Sequence, residues 1–112
     1  MSTTRQNKVA RLIQKELGDI FQKESREYYG GKMISVTVVR ITPDLSIAKV
    51  YLSIYPTQRD KDPLSEVHEN QSRLRLELGN RVRHQLRIIP ELIFYIDDSL
   101  DYLENIERLL KK

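Results

Sequence analysis

Apolar residues recur over residues 4–25 at Val9, Leu12, Ile13, Leu17, Ile20 and Phe21. Steps of three and four place them on one stripe of an α-helix, which must be buried. Thr3, with Gln6 three positions on, predicts a capping box at its start. Gly18 weakens the helix without interrupting the stripe, and Gly30-Gly31 ends the pattern. Residues 33–42 are rich in β-branched side chains and read as a strand. Their alternation slips between Val36 and Val39, which predicts a bulge near Thr37 or Val38. Pro43-Asp44 forms a turn. Then Ala48, Val50, Leu52 and Ile54 alternate with Lys49, Tyr51, Ser53 and Tyr55, a strand with one face inward. The short connection makes the two strands an antiparallel hairpin.

Beyond a polar connector over 56–63, helical spacing returns with Leu64, Val67, Leu74, Leu78, Val82 and Leu86. One helix over 64–87 is long for this chain, so a break is expected near 70–72 or at Gly79. Leu76 falls on the polar side of a straight helix, and a kink at 70–72 is expected to turn it towards the core. Pro90 stops the helix. Leu92, Phe94 and Ile96 alternate with Ile93 and Tyr95 as a third strand. A last helix is expected from about Ser99, capped by Asp98 or Ser99 and buried through Leu100, Leu103, Ile106, Leu109 and Leu110. The fold class is therefore α+β: a three-stranded sheet with helices on one face. With 112 residues, one domain over 1–112 is expected. Its core leaves no room for an enclosed active site.

Composition narrows the chemistry. There is no cysteine, so disulfides and thiolate zinc sites are excluded, and a cytoplasmic location fits. No apolar run suggests a secretory signal or a membrane span, and no membrane partner is expected. No phosphate loop, dinucleotide fingerprint or nucleophile elbow occurs. His68 and His84 lack a matching third ligand. Neither an enzyme nor a metal or other cofactor is expected.

The net charge of +3 conceals segregation. Arg5, Lys8, Arg11 and Lys15 have no acid among them. Arg73, Arg75, Arg81, Arg83 and Arg87 follow later with Glu77 alone between them. Residues 91–107 then hold Glu91, Asp97, Asp98, Asp101, Glu104 and Glu107 without a base. Such separation creates a directional field. At roughly 100° per residue the first four cations share a stripe of helix one, away from its apolar side. Arg73, Asn80, Arg83 and Arg87 are expected on a common face of the second helical region. Both faces are candidate phosphate-binding surfaces, because the guanidinium fork donates two parallel hydrogen bonds. Solvated helix faces are the plain alternative. Lys49 with Tyr51 and Tyr55 on the outer sheet face could also meet exposed bases. A protein–protein adaptor that docks a basic protein through the acidic residues 91–107 stays open.

The run Ile41-Thr42-Pro43-Asp44-Leu45-Ser46-Ile47-Ala48-Lys49-Val50-Tyr51-Leu52-Ser53 resembles the hairpin signature of the ribosome-binding factor A family. Leu78-Gly79-Asn80-Arg81, followed by Leu86-Arg87-Ile88-Ile89-Pro90-Glu91-Leu92-Ile93-Phe94-Tyr95-Ile96-Asp97, resembles its second signature. The first helix is also similar, so the resemblance spans essentially the whole chain. It implies a KH-like fold of the second topological type, αββααβ, here with an added C-terminal helix. It also implies a cytoplasmic, non-catalytic, monomeric factor that binds 16S rRNA on the free 30S subunit and promotes late rRNA maturation. A role in cold adaptation and release assisted by a ribosome-dependent GTPase are implied as well. Three departures stand out. Asn70-Gln71-Ser72 replaces the family's small kink residues, His84-Gln85 is inserted, and the loop before the first strand differs.

Overall fold

The structure is a computed structural model that describes residues 3–56 and 62–97. Helix α1 runs Thr4–Tyr28, strands β1 and β2 run Met33–Ile41 and Ile47–Tyr55, helices α2 and α3 run Ser65–Glu69 and Gln71–Val82, and β3 runs Glu91–Ile96. The order αββααβ and the single sheet are those of the KH-like arrangement. β1 pairs antiparallel with β2, β2 pairs parallel with β3, and β2 is central. The last expected helix and its cap fall outside the described residues.

The capping box forms as expected. The Gln6 amide N–H donates to Thr3 Oγ1 at 3.1 Å, and Thr3 N–H donates to Gln6 Oε1 at 2.9 Å. The same Gln6 side chain also donates through Nε2 to the Ile41 carbonyl at 2.8 Å. One buried amide thus starts α1 and ties it to the end of β1. The turn out of α1 needs Gly30 and Gly31, whose φ values are 60° and 78°.

The bulge is where the alternation placed it. Val36 faces Leu52 and Val38 faces Tyr51, so Thr37 is the extra residue. From α1, Gln14 Nε2 donates to the Val36 and Thr37 carbonyls, each at 3.2 Å. Thr37 Oγ1 donates to Asp97 Oδ2 at 2.6 Å, joining the bulge to the end of β3. Polar groups released by the ladder irregularity are thereby satisfied.

Ile13, Leu17, Ile20 and Phe21 of α1 meet Ala48, Val50 and Leu52 of β2, Leu74, Leu78 and Val82 of α3, and Leu92 and Phe94 of β3. Phe21 packs edge-on against Tyr29 and Phe94, with ring centroids at 5.4 and 6.3 Å. Such tightly packed positions are intolerant: truncating fully buried Leu78 to alanine is expected to cost about 2–5 kcal/mol.

The second helical region corrects two expectations. It does break near 70–72, at Asn70 between α2 and α3, where Asn70 Nδ2 donates back to the Glu66 carbonyl at 2.7 Å and competes with the helical ladder. Leu76, however, is 66% exposed. A break ahead of α3 rotates that helix as a body, and Leu74 and Leu78 already occupy its inner line. Leu76 lies roughly 200° from each, so it cannot turn in unless they turn out. Nor does the helix reach residue 87. The Val82 carbonyl accepts from both Gln85 N–H and Leu86 N–H, at 2.8 and 2.9 Å, and closes a turn there. The residue before Pro90 is also disfavoured in helix. Arg73, Asn80, Arg83 and Arg87 therefore do not share one helical face.

Candidate nucleic-acid interface

Arg5, Lys8, Arg11 and Lys15 are all exposed on α1, opposite its buried stripe. What leaves them uncompensated is a pair of arginines on α3. Arg81 Nη1 lies 2.6 Å from Asp19 Oδ2 and 3.3 Å from Glu16 Oε1, with Glu77 at 3.6 Å from its Nε. Hydrogen bonds from Arg81 first, then Lys23, hold the Asp19 carboxyl below its ordinary range. Arg73 Nη1 meets Glu24 Oε2 at 2.5 Å, and its guanidinium carbon lies 3.5 Å from the Tyr28 ring centroid. It also donates to Tyr29 Oη and Asn70 Oδ1. The acids of α1 that face α3 are thus consumed by Arg73 and Arg81.

The expected second face is accordingly divided. Arg73 is a half-buried staple between α3 and α1, enclosed by its own partners. Asn80, Arg83 and Arg87 are exposed. Among the described residues Arg5, Lys8, Arg11, Lys15, Arg83 and Arg87 make no ion pair. Lys49 is exposed too, but on the other side of the sheet, opposite Arg40 and beside the stacked Tyr51–Tyr95 pair. It does not join the α1 cluster. Of the acidic stretch 91–107 only 91–97 is described; Glu91 is exposed, and Asp97 is bonded to Thr37.

Tertiary structure brings three of these cations together around a feature that sequence reasoning missed. A groove of about 680 Å³ opens between the first turns of α1, the β1–β2 turn and the segment after α3. Arg5 and Lys8 lie along one side and Arg87 along another, while Leu12, Leu45 and Leu86 supply apolar wall. A hint in the sequence was Ile88, an apolar residue with no place in either buried pattern; it is 73% exposed and lines the groove.

The β1–β2 turn is built to hold its shape. Asp44 Oδ1 accepts from Ser46 Oγ, Thr42 Oγ1 and Ser46 N–H at 2.7, 2.7 and 3.1 Å. These donors, the two hydroxyls ahead of the amide, hold the Asp44 carboxyl down to about 2. Leu45 adopts φ 63°, left-handed backbone that costs a leucine about 1–2 kcal/mol. The surrounding bonds keep it there, with its side chain half-buried at the groove. From α3, Arg75 Nη2 donates to the Ile89 carbonyl at 3.1 Å and secures the segment that carries Arg87 and Ile88.

The comparisons with known proteins agree with this architecture. The family model described as Ribosome-binding factor A matches residues 5–110. The chain belongs to the ribosome-binding factor A family. It is 54% identical to ribosome-binding factor A of Cytophaga hutchinsonii, over all of this chain and 84% of that protein. It is 48% identical to the Christiangramia forsetii protein, over 97% of this chain and 84% of that one. Among solved structures, the Thermus thermophilus ribosome-binding factor A crystal structure matches with a TM-score of 0.66 at 21% identity, covering 81% of this chain and 94% of that one. A Thermus thermophilus homology model fitted into the cryo-EM map of a 30S–RbfA complex matches at 0.63 and 23% identity, covering 80% and 91%. At those identities the structural matches speak for the fold. Among the described residues no cluster of three histidines or acids could hold a metal, and no helix is long and apolar enough to cross a membrane.

Proposed function

We propose that this protein binds the 16S rRNA of the free 30S subunit and promotes its late maturation by binding alone, without catalysing a reaction. The observation that carries this reading is the set of exposed, uncompensated cations along α1 and just after α3. Arg5, Lys8, Arg11, Lys15, Arg83 and Arg87 would hold phosphates, with Asn80 donating beside them. Arg73 is left out because Glu24 and Tyr28 occupy it. Lys49 would serve only a second, separate contact on the sheet face. Phosphate contacts position a protein without reading sequence, so choice of an immature subunit would come from the spacing of its phosphates. Family membership supports the ribosome as the partner, and a 30S complex is the setting of one structural relative.

The reading extends to a monomer acting in the cytoplasm and needed most in the cold, when misfolded rRNA rearranges slowly. A ribosome-dependent GTPase would assist release, since many phosphate contacts dissociate slowly unless the subunit changes shape. Co-sedimentation of the purified chain with separated small, large and joined ribosomal particles tests the central claim. Binding to free small subunits is expected, with little to the large or joined particles. Equal recovery with all three would overturn it.

A further inference from the structure

We infer that the groove between α1, the β1–β2 turn and the segment after α3 is a site for one unpaired nucleotide of RNA. The inference rests on the RNA-binding reading above and adds to it the element that phosphate contacts lack, a place for a base.

Several observations converge on this occupant. The volume of about 680 Å³ lies within the roughly 300–1,000 Å³ usual for sites that enclose small organic groups. Its charge is asymmetric. Arg5, Lys8 and Arg87 stand at the α1 side and after α3, and the single acid, Asp44, stands at the hairpin end. A phosphate is drawn to the α1 and post-α3 walls and repelled from the hairpin wall, which biases how a nucleotide enters. A base seated in the groove would meet the apolar side chains of Leu45, Leu86 and Ile88. Polar groups for a base edge are present there. Gln85 lines the groove with an amide that can both donate and accept. Asp44 Oδ2 makes no bond among the described residues and can accept from a base N–H.

The exposed Ile88 also needs a reason. A large aliphatic side chain 73% exposed beside three cations gains nothing from a bare phosphate, but gains from covering a base. Proteins read RNA sequence chiefly on unpaired, splayed bases, because the A-form major groove is too narrow for side chains. A duplex could reach the cationic rim and could not place a base in the groove. Leu45, held in left-handed backbone by the Asp44 bonds, gives a wall that is rigid before the nucleotide arrives, so little order is lost on binding.

The test compares a mixed-sequence single-stranded decaribonucleotide with the blunt duplex it forms with its complement, each titrated against the full chain at fixed salt. The groove variant carries Gln85→Ala with Ile88→Ser. Both side chains are exposed, so the variant is expected to keep the wild-type melting temperature. It should bind the single strand about tenfold more weakly and the duplex unchanged, as expected for loss of a buried contact and a hydrogen bond. Arg5→Ala should weaken both RNAs. Methyl resonances of Leu45, Leu86 and Ile88 should shift on adding the single strand, through the ring current of a base, and stay in place with duplex. If both RNAs bind and the groove variant matches wild type for each, the nucleotide site is overturned while RNA binding stands. If neither RNA binds, the RNA-binding reading fails and takes the site with it. If those methyls respond to an acidic amphipathic peptide and not to the single strand, the groove belongs to a protein partner and the inference is wrong.

Discussion

Arg81 Nη1 sits 2.6 Å from Asp19 Oδ2 across the α1–α3 packing, and that contact decides what α1 presents to solvent. Asp19 lies one turn beyond Lys15 and would otherwise dilute the cationic stripe. Arg81 is thus expected to matter for RNA binding without touching RNA. Arg81→Gln should lower the melting temperature and also weaken RNA binding, by returning Asp19 and Glu16 to the field around Lys15. A variant that is destabilised yet binds RNA like wild type would show that the two acids do not shape the stripe.

Arg73 and Arg87 should separate cleanly in mutagenesis, although composition treats them alike. Arg73→Ala leaves Glu24 without its partner, with Oε1 already buried and unbonded among the described residues, and removes the cation from the Tyr28 ring. A loss of about 1–2 kcal/mol is expected for this half-buried pair, between the surface and buried limits. Urea denaturation measures it. Direct effects on RNA affinity at temperatures where the variant is folded should be small, because Glu24 lies about 13 Å along α1 from Lys15, beyond the reach of a screened charge.

Arg83→Glu with Arg87→Glu should do the reverse. Both residues are exposed and unpaired among the described residues, so stability should change by under about 0.5 kcal/mol. Co-sedimentation with small subunits should be lost, since two phosphate partners become two repelling charges. A folded double variant that still sediments with the subunit would remove both residues from the interface.

Salt dependence tests the size of the contact. With Arg5, Lys8, Arg11, Lys15, Arg83 and Arg87 each neutralising one phosphate, log affinity should fall against log salt with a slope of about −4 to −5, at −0.7 to −0.9 per phosphate. A slope near zero would exclude a phosphate-led interface.

The core phenol predicts an alkaline limit. Burial pushes the Tyr29 hydroxyl from 10.0 up to about 12. Below pH 10 both folded and unfolded chains keep that proton, and its contribution to stability is complete. Above pH 10 the unfolded chain loses it first, so stability falls as pH rises towards 12. Tyr29→Phe keeps the ring against Phe21 and cannot ionise. The urea midpoint of the wild type should drop more steeply than that of the variant between pH 10 and 12; parallel curves would show that Tyr29 does not titrate in this window.

Local signals determined much of this protein. The α1 stripe, the Thr3–Gln6 capping box, the bulge at Thr37 and the inward set of β2 all depend on residues a few positions apart, where backbone period and short-range hydrogen bonds leave few choices. The exposure of Arg5, Lys8, Arg11 and Lys15 follows from the same periodicity, because the opposite stripe must be buried. Tertiary structure decided the rest. Arg73 and Arg81 are structural, while Arg83 and Arg87 are unpaired among the described residues, because Glu24, Glu16 and Asp19 reach α3 only once both helices pack on the sheet. Periodicity places a side chain on a face, but it carries no information about which distant acid will stand there. Leu76 stayed outside because Leu74 and Leu78 already claimed the inner line. The groove has walls from three separated segments, so it exists only after the hairpin turn, the start of α1 and the chain beyond Val82 are assembled around the common core.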